Sequence, residues 1–183
     1  MAFKALAALI VALQIVSGFC QTTSPTLEFF ETIPELSNFT AALQFSGLYE
    51  LLDGSTGPYT IFAPDNAGFE KSLAPFDATW EAFTTGGQEE AEHAREHLEY
   101  MIVPGVYRLA DLHAGLELHS IMSNGAAFTI QPSRYNNGNL YAVGNNTYYE
   151  NGNRGRILES DLEVTGTDNI AHIIGAFLFT EEE

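Results

Sequence analysis

His93-Ala94-Arg95-Glu96-His97 sets two imidazoles four residues apart with a carboxylate between them. On a helix that spacing points both rings the same way, so they can share a metal ion. His-x-x-Glu-His is also the inverted zinc-hydrolase pattern. Glu89, Glu90 and Glu92 add carboxylates nearby. The apolar stripe of the same stretch is Ala91, Ala94, Leu98 and Met101, which puts His97 at its flank and His93 toward solvent. A protease helix must line a cleft and meet a third ligand. A charged, solvated face gives the same letters with no further requirement. The solvated face is the preferred reading. A metal-binding protein or metallohydrolase using His93, Glu96 and His97 is the sharpest alternative.

Other chemistry has fewer candidates. The chain contains no Gly-x-Ser-x-Gly elbow, phosphate loop, dinucleotide fingerprint or calcium loop. Its one cysteine, Cys20, falls in a leader-like segment. Lys4 is the only early charge, Ala5–Leu13 is wholly apolar, and Gly18 and Cys20 are small residues before a cut ahead of Gln21. That run is too short to span a bilayer and reads as a secretory signal peptide over 1–20. Residues 21–183 then form one cysteine-free domain, held by its core. A cysteine nucleophile, thiolate zinc site or iron–sulfur cluster is excluded from it.

The net charge of −17 repels phosphate backbones and anionic lipid heads, so neither nucleic acid nor a membrane surface is expected as a partner. The acidity first serves solubility. Two sequons, at Asn38 and Asn145, fit glycosylation during secretion. Asn145 lies in a polar Asn/Gly/Tyr stretch and is expected to be exposed; Asn38 is also a cap candidate for a helix beginning near Phe39. Glu181–Glu183 reads as a solvated tail without a glycolipid-anchor signal.

The elements follow from periodicity. Thr26–Leu52 is helical, interrupted at Pro34 and Gly47 and stopped at Asp53-Gly54. Tyr59-Thr60-Ile61-Phe62 is a short strand stopping at Pro64. Asp65 is placed to cap a helix over Ala67–Leu73, with Phe69 tucked back beneath the strand. A helix is expected at Ala78–Phe83, and an amphipathic one over Gln88–Ile102 that Pro104-Gly105 ends. Short strands follow at Leu116–Ile121, Ala127–Ile130, Leu140–Val143, Arg156–Glu159, Leu162–Val164, Ala171–Ile174 and Ala176–Phe179. Ser133–Gly155 reads as a long hairpin or insert. Its Tyr135, Tyr141, Tyr148 and Tyr149 are either sugar-stacking platforms or cross-strand pairs. Helices first and strands later make an α+β fold.

Several segments resemble one family. Thr60, Phe62, Ala63, Pro64, Asp65 and Phe69 resemble the first signature box of the fasciclin (FAS1) domain, an extracellular adhesion module. The helical opening, with Leu36, Phe39, Ala41, Leu43 and Gly47-Leu48, is similar to the family's first helices. Tyr100-Met101-Ile102-Val103-Pro104-Gly105, then Tyr107 and Asp111-Leu112, is similar to the central Tyr-His segment. Asn124-Gly125-Ala126 resembles its usual turn. Ile157–Leu178, with His172 between Ile170 and Ile173-Ile174, resembles its closing box. The order and spacing cover nearly all of residues 21–183.

The departures bear on partner choice. Met101 stands where the family usually has His, and Asp168-Asn169 and Gly175 replace its Asn-Gly and Asp. The Asp-Ile pair that some animal members use for integrins appears as Asp161-Leu162, about two residues farther from His172. That puts integrin recognition in question while the apolar positions keep the fold. His172, among β-branched neighbours, reads as a hydrogen-bonded structural residue.

The resemblance implies a FAS1-like wedge of short twisted strands with packed helices. It implies a secreted, non-enzymatic adhesion or matrix module with no cofactor. The expected partners are extracellular proteins or glycans, with self-association as a route to bridging. Tyr100, Met101, Tyr107, Asp161 and Leu162 are the candidate contact residues, with the tyrosine-rich insert as a third surface. A soluble glycan-binding module is the remaining alternative.

Overall fold

The computed structural model describes residues 24–53, 56–76, 79, 81, 84–135, 137–145 and 153–180. The expected leader at 1–20, Tyr148, Tyr149 and most of the helix expected at Ala78–Phe83 lie outside them.

The chain opens with helices. Ser24 caps α1 (Pro25–Glu31), its hydroxyl accepting from Leu27 N at 3.1 Å, and Pro25 fits the first turn, where its missing N–H costs nothing. Pro34 breaks the run into a 3-10 turn, Pro34–Leu36. α2 (Ser37–Ser46) ends where Gly47 turns left-handed at φ 67°, and α3 (Tyr49–Leu52) follows. Asn38 does not cap α2. The helix begins one residue earlier, and Asn38 N donates to the side-chain Oδ1 of Asn66 at 3.0 Å.

β1 (Tyr59–Pro64) is buried throughout and runs into α4 (Asn66–Leu73). α5 (Gln88–Tyr100) starts where Glu90 reaches back to accept from Gly87 N at 2.7 Å. It ends at Tyr100, earlier than periodicity suggests. The β-branched pair Ile102-Val103 and the following Pro104 form β2 (Ile102–Pro104) instead, paired antiparallel to β1.

The remaining strands are β3 (Glu117–His119), β4 (Ala127–Pro132), β5 (Leu140–Val143), β6 (Arg154–Glu163) and β7 (Ile170–Ile174). They join one seven-stranded sheet in the order β2-β1-β7-β6-β5-β4-β3. Among the described residues only the β1–β7 pairing is parallel, and it sets Phe62 beside His172. β6 is one strand where two were expected, because its ladder to β7 slips twice between Ile157 and Leu162. Ala176–Phe179 forms no strand. It is extended core filler, with Phe177, Leu178 and Phe179 all buried.

The core lies between the sheet and the helices. Phe30, Phe39, Phe62, Phe69, Phe128 and Phe177 are fully buried, and α2 packs against α1, α4 and α5. Rings meet edge to face, as in Phe62–Phe128 at 5.0 Å and Phe69–Phe177 at 4.7 Å between centroids.

Candidate functional site

Thr60 is the second residue of β1 and fully buried. A buried hydroxyl must find partners, and this one finds two on a single loop: it donates to Gly105 O at 2.8 Å and accepts from Tyr107 N at 2.9 Å. The segment after β2 is thereby stitched to β1, the next strand in from the sheet's β2 edge. Immediately after the strand, Asp65 N donates to Ile174 O at 2.9 Å and its carboxylate accepts from Gly68 N at 2.7 Å. That is a strand–cap–helix corner.

His172 supplies the second anchor. Its ring is fully buried in β7 and packs 5.2 Å from the Phe62 ring centroid. Nδ1 accepts from Asp161 N at 3.3 Å, so the ring proton sits on Nε2 and donates to Tyr107 O at 2.8 Å. Burial pushes its pKa below the ordinary value, against the smaller raising effects of the Tyr107 carbonyl and the Asp161 charge. The ring is therefore neutral, with both nitrogens engaged, and has no lone pair left for acid–base work.

Asp161 supplies the third. It adopts a left-handed backbone, φ 59°, where the β6 ladder slips, and Asp tolerates that region better than most residues. Its Oδ1 accepts from Leu109 N at 2.7 Å. Arg108 N donates to Asp111 Oδ2 at 2.9 Å, and the Arg108 guanidinium meets Glu163 at 3.0 Å across the loop's edge.

The loop over residues 105–112 therefore turns its backbone polar groups inward. Two of its apolar side chains face out, Val106 at 40% exposure and Leu109 at 41%, while Leu112 is buried in the core. Beside Leu109 opens a cleft of about 260 Å³ lined by Leu140, Ile157 and Leu158, with Asn139 and Glu159 at its polar edge. Leu158 is 43% exposed. An apolar patch with a polar rim on a fixed backbone is suited to binding.

The other residues singled out in the sequence are distributed as follows. Tyr100 and Met101 are fully buried, so their side chains belong to the core and do not reach a partner. The Tyr100 hydroxyl donates to Ala127 O at 2.8 Å and accepts from Asn145 N at 3.1 Å. Tyr107 and Leu162 are half-buried against the core. His172 brings Tyr107 and Asp161 together, which the sequence treated as separate surfaces.

His93 and Glu96 are exposed on α5, whereas the His97 ring packs edge-on to Phe177 and Phe179, with centroids 6.1 and 5.8 Å away. Among the described residues no three His, Cys, Asp or Glu side chains form a group that could hold a metal. Asn145 is exposed. Asn38 is half-buried, and the hydroxyl of its sequon partner Thr40 donates to Leu36 O at 2.8 Å.

Asn169 was read only as a departure from a motif, yet it is a buried hub. Its Oδ1 accepts from Tyr59 N at 2.9 Å and its Nδ2 donates to Leu52 O at 2.6 Å. Asn66 is similar at the surface, joining α4 to the start of α2 through Asn38 N, Pro34 O and Ser37 Oγ. Asparagine beside turn residues signals a cap or turn, and nothing local distinguishes these two.

The family model of the fasciclin domain matches residues 34–180. The chain belongs to the fasciclin domain family. That family is associated with cell adhesion and is extracellular or cell-surface. The structure is similar to that of a FAS1 domain pair from the insect cell adhesion molecule fasciclin I, with a TM-score of 0.64 and 18% sequence identity over 84% of this chain and 50% of that one. This fasciclin domain thus spans about half of that solved chain, and at such identity the likeness shows the fold. No curated protein sequence matches the chain. No helix among the described residues is long and apolar enough to cross a membrane.

Proposed function

We propose that this fasciclin domain is a secreted, non-enzymatic module that binds an extracellular partner through the loop over residues 105–112 and the adjoining cleft. One observation carries the reading. The loop's backbone is fastened to Thr60, His172 and Asp161, while Val106 and Leu109 are left facing solvent. A loop already held in one conformation binds without the ordering cost that a flexible one meets. Asp161 acts here as a positioning residue for Leu109, with one carboxylate oxygen turned to the loop.

The test is binding of the purified protein to cells and extracellular matrix of its own source, with heat-unfolded protein as control. Replacing Val106 and Leu109 together with serine is expected to reduce saturable binding by about tenfold or more, as loss of central apolar anchors does elsewhere. Undiminished binding by that folded variant overturns the assignment of the loop.

A further inference from the structure

On the opposite side of the sheet from the buried Ala142, β4, β5 and β6 present a different chemistry. Side chains alternate along a strand, so Gln131, Tyr141, Arg154 and Arg156 share the outward face. The Arg154 guanidinium lies 5.0 Å from the centre of the Tyr141 ring and donates to Gln131 Oε1 at 2.7 Å. Arg156 stands directly across from Tyr141 in the ladder and is exposed. One guanidinium thus lies over the phenol ring, and a second belongs to the residue that faces it across the ladder. The β4–β5 turn at the end of these strands adds Arg134 and Tyr135, the latter 89% exposed.

This clustering runs against the composition. The chain has 24 acidic side chains and only 7 Lys and Arg, and three of those seven are Arg134, Arg154 and Arg156. Among the described residues the ion pairs are Arg95–Glu99 and Arg108–Glu163, so none of the three has a carboxylate partner there.

We propose that the outward face centred on Tyr141, Arg154 and Arg156 binds a carboxylated polysaccharide. A guanidinium matches a carboxylate in a two-pronged hydrogen bond, and an aromatic ring offers a flat apolar platform to the face of a sugar. The net charge of −17 selects among polyanions. Nucleic acid and heavily sulfated chains carry dense charge that the rest of the molecule repels, and a second copy brings the same negative charge again. A polyuronate spaces its carboxylates along neutral sugar, so the local cationic face can act with less opposition. This surface and ligand are independent of the loop over residues 105–112.

The experiment is a titration of the purified protein with hyaluronan oligosaccharides, with neutral dextran and heparin of matched length in parallel. Saturable hyaluronan binding that weakens with salt is expected, and little response to dextran or heparin. An Arg154→Gln, Arg156→Gln variant is expected to bind at least about tenfold more weakly. Arg95→Gln, remote from the face, is expected to leave binding unchanged. If the double variant does not fold, Arg156→Gln alone, at an exposed site with no ion pair among the described residues, carries the test.

No saturable hyaluronan binding at low salt overturns the proposal, as does equal binding by the folded variants. Tighter heparin binding overturns the preference for carboxylates. Self-association that the double variant abolishes, without any hyaluronan response, assigns the face to a second copy instead.

Discussion

The backbone N–H of Asp161 donates to Nδ1 of the buried His172 at 3.3 Å, and this bond sets the proton on the far nitrogen, where it reaches Tyr107 O at 2.8 Å. One neutral ring thereby ties the slipped part of β6 to the loop that carries Val106 and Leu109. His172→Phe keeps a ring of similar size but leaves two inward-facing backbone groups without their partner. It is expected to cost about 2 kcal/mol, read from denaturant unfolding.

The same ring gives a pH dependence with a defined sign. The folded-state pKa is lowered by burial from the ordinary 6.5. Above that value both states are neutral and pH does not matter to this group. As pH falls below it the unfolded chain takes up a proton that the folded ring refuses, so stability declines until the folded ring also protonates. Wild type is expected to lose more stability than His172→Phe between about pH 7 and pH 5.5, with the shared carboxylate contribution cancelling in the comparison. Parallel lines would mean that His172 does not titrate in this way.

Asn169 is expected to be among the least replaceable polar residues. Asn169→Ala removes the acceptor for Tyr59 N and the donor to Leu52 O, both in the interior. Leu52 O retains its bond from the Thr26 hydroxyl at 2.9 Å, so the larger loss falls on Tyr59. A cost of about 2–3 kcal/mol is expected, with a matching fall in the thermal midpoint.

Gly68 tests the corner after β1. A methyl group there would lie 2.6 Å from Ala176 N and 2.6 Å from Gly175 C, backbone atoms that cannot swing aside. Gly68→Ala is expected to destabilise by about 2 kcal/mol despite alanine's better helix propensity. At Gly125 a methyl group meets nothing within 4 Å, but φ is 69°. Gly125→Ala is expected to cost about 1 kcal/mol, from backbone conformation alone.

The corner at Tyr59–Phe69 was legible because each of its signals is local: a β-prone run, a proline, a capping aspartate and an aromatic one turn on. β2 was not, because three residues fused to a helix end show no period of their own. β6 read as two strands because the polar pair Ser160-Asp161 separates Arg156–Glu159 from Leu162–Val164, and in three dimensions that pair lies at a slip within one ladder. The need of His172 for hydrogen bonds could be read from its apolar neighbours. Its partners, at Asp161 and Tyr107, come together only when β6 and the 105–112 loop are placed against β7. The burial of Tyr100 likewise depends on β4, whose Ala127 carbonyl accepts the hydrogen bond of its hydroxyl.

The most direct test of the account is saturable binding of the protein to cells or matrix of its own source, compared among wild type, Val106→Ser with Leu109→Ser, and Asp161→Asn. Asparagine keeps both the tolerance of a left-handed backbone and an acceptor for Leu109 N. The account predicts near-normal binding by Asp161→Asn and a loss of about tenfold or more in the serine pair, with all three proteins folded. Full binding by the serine pair, or its loss in Asp161→Asn alone, would contradict it.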